Sequence, residues 1–248
     1  MISKTDFSKI KFSSRFHRYW YGGRELTSVS KTLGRIKPPF DAPMIAARVA
    51  DREGRPVEDV LAEWDLKRQT GLARGTQVHQ YIERVLHGEV VAKSDPVLDL
   101  NEVLPEIEAF DQFWQRLRGA IAPQVEQIEW VVGDAALGIA GTLDALLLDT
   151  NRNTLHLFDW KTGGKFRVDN QWQRLLPPFD DLDDCELVNY SLQVSLYRLM
   201  IERNTDLALE SGYIVHLAGD GSYQTFEALD FGGRLLAWLE GAGDVSNR

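Results

Sequence analysis

Residues 124–161 read QVEQIEWVVGDAALGIAGTLDALLLDTNRNTLHLFDWK. Three runs in this stretch, VEQIEWVV, GIAGTLDALLL and TLHLFDWK, are rich in β-branched, aromatic and apolar residues. The breaker Asn151-Arg152-Asn153 separates the second from the third. Strands joined this closely pair with their neighbours, so the stretch predicts an antiparallel meander. Asp159 and Lys161 stand two apart on the third run and project from one face, while Trp160 points the other way. Asp144 sits in the middle of an apolar run, where a lone carboxylate costs several kcal/mol unless it is paired or bound to a cation. If the strands are adjacent, Asp144 meets Asp159 across the ladder. Two carboxylates and a lysine then converge, and carboxylate oxygens suit a hard cation such as magnesium or manganese. The bland alternative is an ion pair between Lys161 and either aspartate.

Outward from the meander, periodicity predicts helices over 43–52, 56–70, 75–87 and 102–118 on its N-terminal side. Residues 162–186 read as a long polar connection, followed by a helix over 187–203, strands near 211–218 and 222–228, and a helix near 232–240. Residues 16–29, FHRYWY-GG-RELTSV, are two alternating runs about a two-glycine turn, which predicts a β-hairpin. The fold class expected is α/β: a central mixed sheet with an antiparallel meander, flanked by helices, with an N-terminal hairpin and helical region.

In the helix over 75–87, Val78, Tyr81, Ile82, Val85 and Leu86 make the apolar face, and His79 lies at its border. A histidine there is ordinarily packed, but the border position lets it face a cleft. The helix over 187–203 is apolar nearly all round. Gln193 on it needs buried partners, with Tyr197 one turn away.

Of 248 residues, 44% are hydrophobic and 26% charged, the proportions of a globular chain with a full core. One domain is expected over 1–248: an N-terminal hairpin and helical extension over 1–70, a core over 71–230 and a C-terminal helix and tail over 231–248. The single cysteine, Cys185, excludes an internal disulfide, a cysteine zinc site and a four-cysteine iron–sulfur cluster. The net charge is −9, but residues 1–40 carry nine basic residues against Asp6 and Glu25, a local balance of +7. Phe7, Phe12, Phe16, Tyr19, Trp20 and Tyr21 are interleaved with cations that include Lys9, Lys11, Arg15 and Arg18, a mixture suited to phosphates and bases. No apolar run has membrane-spanning length and no signal-peptide core precedes the hairpin. The setting expected is cytoplasmic, with a mitochondrial location less favoured because a hairpin this early leaves little room for a presequence.

Gly75-x-x-x-His79, Glu129-Trp130, Gly141-Thr-Leu-Asp144, Asp159-Trp-Lys161-Thr and Gln193-x-x-x-Tyr197 stand in the order and approximate spacing of the PD-(D/E)XK nuclease superfamily. Over residues 70–200 the chain most resembles the RecB-like exonuclease branch, which includes phage recombination nucleases and mitochondrial genome-maintenance exonucleases. The resemblance implies a restriction-endonuclease-like core and magnesium- or manganese-dependent hydrolysis of DNA, single-stranded or at duplex ends. It implies His79, Asp144, Asp159 and the main-chain carbonyl of Trp160 as metal ligands, and Lys161 as the catalytic lysine. Glu129 matches an additional acidic position that serves a second metal or a water. Glu126 competes for that role, but the fifteen-residue step from Glu129 to Asp144 and the neighbouring Trp130 favour Glu129. Gln193 and Tyr197 match the substrate side of the cleft, where Arg74 is also expected. Leu143 stands where the superfamily name has proline and Asp159 where many members have glutamate, both as in the RecB-like branch. The rival expectations are a structure-specific endonuclease of the same fold, a non-catalytic nucleic-acid-binding module, and a glycosidase, which has no use for a lysine beside its acid pair.

Overall fold

In the computed structural model, which describes residues 4–92 and 101–245, three short antiparallel strands come first: β1 (Lys11–Ser13), β2 (Arg18–Tyr21) and β3 (Arg24–Ser28). The expected domain limits at 1 and 248 lie outside the described residues. Gly22 and Gly23, at φ 56° and 84°, form the turn between β2 and β3 in the left-handed region that glycine tolerates. Ser28 ends the hairpin earlier than periodicity predicts. Its hydroxyl accepts the Lys31 N–H at 3.2 Å and caps a short helix, α1 (Val29–Gly34).

Helix α2 (Ala42–Glu53), capped by Asp41, ends on left-handed Gly54. The helices expected separately over 56–70 and 75–87 are one continuous helix, α3 (Val57–Leu86). Gly71 and Gly75 lie inside it, each costing about 1 kcal/mol against alanine, but no proline interrupts it and its C-terminal half is anchored by buried Val78, Tyr81, Ile82 and Leu86. Then follow α4 (Leu104–Ala120), β4 (Pro123–Asp134), β5 (Ile139–Asp149), β6 (Thr154–Gly163), α5 (Glu186–Asn204), β7 (Leu209–Ala218), β8 (Tyr223–Glu227) and α6 (Gly232–Val245).

The strands form one eight-stranded mixed sheet in the order β1-β2-β3-β5-β6-β7-β8, with β4 on β5. The pairs β3–β5 and β6–β7 are parallel and the rest antiparallel, so the expected meander β4-β5-β6 is its centre. Leu143, Leu146, Leu157 and Ile214 on one face pack against Leu192, Leu196, Met200 and Ile201 of α5. On the other face Ala145, Leu147, Phe158, Trp160 and Val215 meet Val78 and Ile82 of α3 and Ile107, Phe110 and Phe113 of α4. This is an α/β fold whose sheet is covered by helices on both faces. The alternation predicted for FDWK holds: Trp160 enters the α3–α4 layer, while Asp159 and Lys161 face α5.

The connection over 164–185 is pinned rather than loose. Phe166, Leu175 and Phe179 are buried in it, Arg174 bridges Asp183, and Asn170 Nδ2 donates to the Asp184 carbonyl at 2.7 Å. No helix among the described residues is long and apolar enough to cross a membrane.

Candidate metal centre and cleft

The sheet forks at Asp144. Ladder partners between β5 and β6 run from Asp149 with Thr154 to Ala145 with Phe158 and stop there. Beyond that point β6 continues only against β7, as far as Gly163 opposite Ala218. β3 joins the same edge of β5 only at Ile139 and Ala140, which leaves residues 141–144 between two diverging strands. At the fork the Trp160 N–H, released from the ladder, donates to Asp144 Oδ2 at 2.7 Å. A stranded backbone donor and a buried carboxylate thus satisfy one another.

On the other edge of β5, Ile128 pairs with Ala145 and Trp130 with Leu143, so Glu129 stands opposite Asp144. Glu129 has φ 44°, a left-handed conformation that costs a non-glycine residue about 1 kcal/mol or more, and the β4–β5 register shifts between Val125 and Gln127. Such irregularities re-aim side chains at strand edges. Glu129, Asp144 and Asp159 therefore form a row across three neighbouring strands.

His79 enters this row from α3. Its Nε2 lies 3.1 Å from the Trp160 carbonyl oxygen, and its Nδ1 lies 3.7 Å from both Glu129 Oε1 and Asp144 Oδ1. With Nε2 donating to the carbonyl, Nδ1 faces two carboxylates, an arrangement that calls for a proton or a metal cation between them. His79, Glu129 and Asp144 offer one nitrogen and two oxygens, all within 4.8 Å of one another, a donor set that fits magnesium or manganese. Of the residues that the resemblance implies as ligands, His79 and Asp144 lie in this group with Glu129; the fully buried Asp159 carboxylate lies 2.7 Å from Lys161 Nζ, and the Trp160 carbonyl oxygen meets His79 Nε2.

Electrostatics follow from crowding three acids, two of them buried, into the fork. Burial opposes the charged form of His79, but Asp144 and Glu129 outweigh it and lift its pKa to about 9. Burial pushes Asp144 up, and Asp159 up to about 6 in spite of Lys161. Burial also works against the Lys161 ammonium, yet Asp159 and Asp144 hold its pKa above the usual lysine value. Lys161 therefore stays a cation, with its Nζ also 4.8 Å from the centre of the Tyr190 ring.

Gln193 and Tyr197 reach this machinery from α5, not the open cleft. Gln193 Nε2 donates to the Tyr197 hydroxyl at 3.0 Å and reaches Asp159 Oδ1 at 3.4 Å. Tyr197 lies under Gly141, where an added Cβ would sit 2.7 Å from its ring. Tyr190 was missed at the sequence level, although it stands three residues before Gln193 on the same helix and shares its face.

The fork opens into a cavity of about 740 Å³ lined by Phe12 and Ser14, by Gly71, Leu72, Gly75, Thr76, His79, Gln80 and Glu83 of α3, and by Glu129, Trp160, Lys161 and Thr162. Arg74 is not among its lining residues. Its guanidinium is 2.6 Å from the buried carboxylate of Glu106, tying α3 to α4. Lys9 pairs with Asp6 at 3.2 Å and Arg18 with Glu25 at 3.7 Å, both on the surface, while Lys11 and Arg15 lie in no ion pair among the described residues.

No family model matches the chain, and no curated protein does. Among solved structures, one described as "Crystal structure of SSO0001" is similar to it at 16% identity over 57% of this chain and 56% of that one, with a TM-score of 0.28.

Proposed function

We propose that this chain is a magnesium- or manganese-dependent deoxyribonuclease with a restriction-endonuclease-like core, acting from strand ends as a RecB-like exonuclease in DNA recombination, repair or replication. One observation carries the proposal. Three acids lie abreast at a strand fork, with His79 at one end of the row, Lys161 at the other and an open cleft in front. A glycosidase needs an acid pair but not this lysine. A purely structural ion pair accounts for Asp159 and Lys161 but leaves Glu129, strained and half-exposed at the cleft, without a role.

His79, Glu129 and Asp144 would hold the cation. When bound there, a divalent cation polarises a phosphodiester and makes a water nucleophilic near neutral pH. The protein groups have separate duties. Lys161, kept protonated by Asp159 and Asp144, serves as a fixed positive charge that stabilises the anionic transition state and orients the attacking water. Asp159 fixes that ammonium and is itself steadied by Gln193. The Trp160 carbonyl holds the imidazole so that Nδ1 faces the acids. The cytoplasmic setting expected from the sequence goes with this function.

The test is hydrolysis of end-labelled single- and double-stranded DNA with magnesium or manganese, beside a closed circular substrate. Metal-dependent loss of end label, with the circle intact, is the expected result. Cleavage of the circle would make the enzyme an endonuclease, and binding without cleavage in either metal would make the chain a nucleic-acid-binding module.

A further inference from the structure

Two exposed aromatic rings on the β1–β2 hairpin take no part in the chemistry above. Phe12, at the base of the turn 14–17, lines the cavity with Ser14 of that turn and with Leu72 and Thr76 of α3, and Phe16 stands in the same turn two residues from Ser14. Phe12 is 38% exposed and rigidly backed. Its ring stacks on Tyr19 at 4.7 Å and 21°, and Tyr19 is buried with its hydroxyl 3.0 Å from Thr142 Oγ1. His17 meets Phe12 edge-on at 5.6 Å. Phe16, at the tip, is 64% exposed, with the Arg15 guanidinium 5.3 Å from its ring centre.

Covering such a ring with a flat apolar face takes its exposed area out of water and gains free energy. The lining residues on this side, Phe12 and Ser14, carry no charge, whereas Lys11 and Arg15, adjacent in sequence, are cations without ion-pair partners among the described residues. Apolar faces inside and free cations beside them match a polynucleotide strand whose bases turn toward the protein and whose phosphates lie outward. Paired bases in a continuous duplex have no free face to offer. We infer that Phe12 and Phe16 form a base-stacking lip, which seats the unpaired end of a DNA strand against the hairpin and feeds it to the fork. The inference rests on the nuclease proposal and adds to it how the substrate is held.

Its test separates stacking from charge and needs no cleavage. Fluorescence anisotropy in excess chelator would compare three labelled probes of equal length: a single strand, an abasic strand with the same phosphates, and a blunt duplex. The native chain should bind the single strand about tenfold or more tighter than the abasic one, since each stacked base contributes at about that level. Phe12→Leu with Phe16→Leu should erase that preference and leave the salt dependence unchanged, because no cation is removed. Phe16→Leu alone, at an exposed position, should lose part of it, and Phe16→Tyr should restore it. Equal affinity for the abasic and base-containing strands, or an unchanged preference in the leucine variants, overturns the lip. Failure of the nuclease proposal has a different signature: the preference persists, but native protein with magnesium or manganese releases no product.

Discussion

The β5–β6 pair has two ends, each with a histidine near carboxylates, and the two histidines shift in opposite directions. At the closed end, where the ladder is complete, burial pushes His156 below its ordinary pKa despite Asp149, and its Nε2 shares a hydrogen bond with Thr154 Oγ1 at 2.9 Å. At the forked end Asp144 and Glu129 overcome burial and hold His79 at about 9. Burial alone therefore does not separate the two histidines. At the fork the strands have let go of one another, and carboxylates crowd a place where backbone pairing has ended.

The comparison breaks most visibly at Lys161. Lys161→Ala should lower cleavage by about 10²–10³-fold or more, since it removes a fixed charge from the transition state. The melting temperature without metal should fall as well at pH 8, because Asp159 is left buried and unpaired. That loss should shrink at pH 5, below the raised pKa of Asp159, where the carboxyl takes up a proton. Calorimetry at both pH values, with cleavage assays alongside, checks all three. Parental cleavage in a well-folded Lys161→Ala protein would refute the site.

Asp144→Asn comes next. The amide oxygen can still accept the Trp160 N–H, so the fold should survive, while the proposed metal group loses a charge. Manganese at about 100 times its Kd should stabilise the native chain by about 2.7 kcal/mol. The corresponding rise in melting temperature, about 5–10 °C for a chain of this size, should be absent in the variant. An equal rise in both proteins would place the cation elsewhere.

His79 sharpens the contrast through pH. Its folded pKa, about 9, exceeds the ordinary 6.5, so its contribution to metal-free stability is complete below about pH 6.5 and is lost as pH rises through 9. The difference is on the order of 3 kcal/mol and should vanish in His79→Gln. Manganese binding at pH 7.5 should release a proton from native protein but not from the variant, read as a dependence of binding heat on buffer ionisation enthalpy.

These effects also mark what was legible in the sequence. The meander could be read because alternation and apolar runs report which residues a strand buries, and the hairpin because Gly22-Gly23 fits a tight turn. Asp144 stood out as a charge inside an apolar run, and Asp159 with Lys161 by their shared face. The fork was not legible, since periodicity says which face a residue takes and not where a ladder stops. For the same reason the contact of Glu129 with His79 and of Lys161 with Asp159 is not legible: the two depend on a left-handed backbone at Glu129 and on how Lys161 folds back. The partner of Arg74, expected on the substrate side of the cleft, is not legible either, because Glu106 lies on another helix thirty-two residues on.

The smallest effect belongs to the closed end. His156 has a folded pKa below its ordinary value, so the fold favours its neutral form. Its contribution is present above about pH 6.5 and turns against the fold as pH falls and the unfolded chain takes up the proton more readily. His79 works in the opposite sense over a higher interval: its contribution grows as pH falls from about 9 to 6.5 and is already complete where His156 begins to lose. His156→Gln keeps a group able to meet Thr154 and removes the titration, so metal-free stability at pH 5 relative to pH 8 should rise above that of the native chain. The change should be smaller than the one seen on removing His79, where two carboxylates act on one imidazole. Metal binding and cleavage should not change, because His156 lies near the far end of the strand pair, opposite Leu147 and three positions from Asp144. Melting curves across that pH interval decide it. A His156→Gln variant that lost manganese binding would mean that the two ends of the strand pair are one coupled unit, and that the division drawn at Asp144 is wrong.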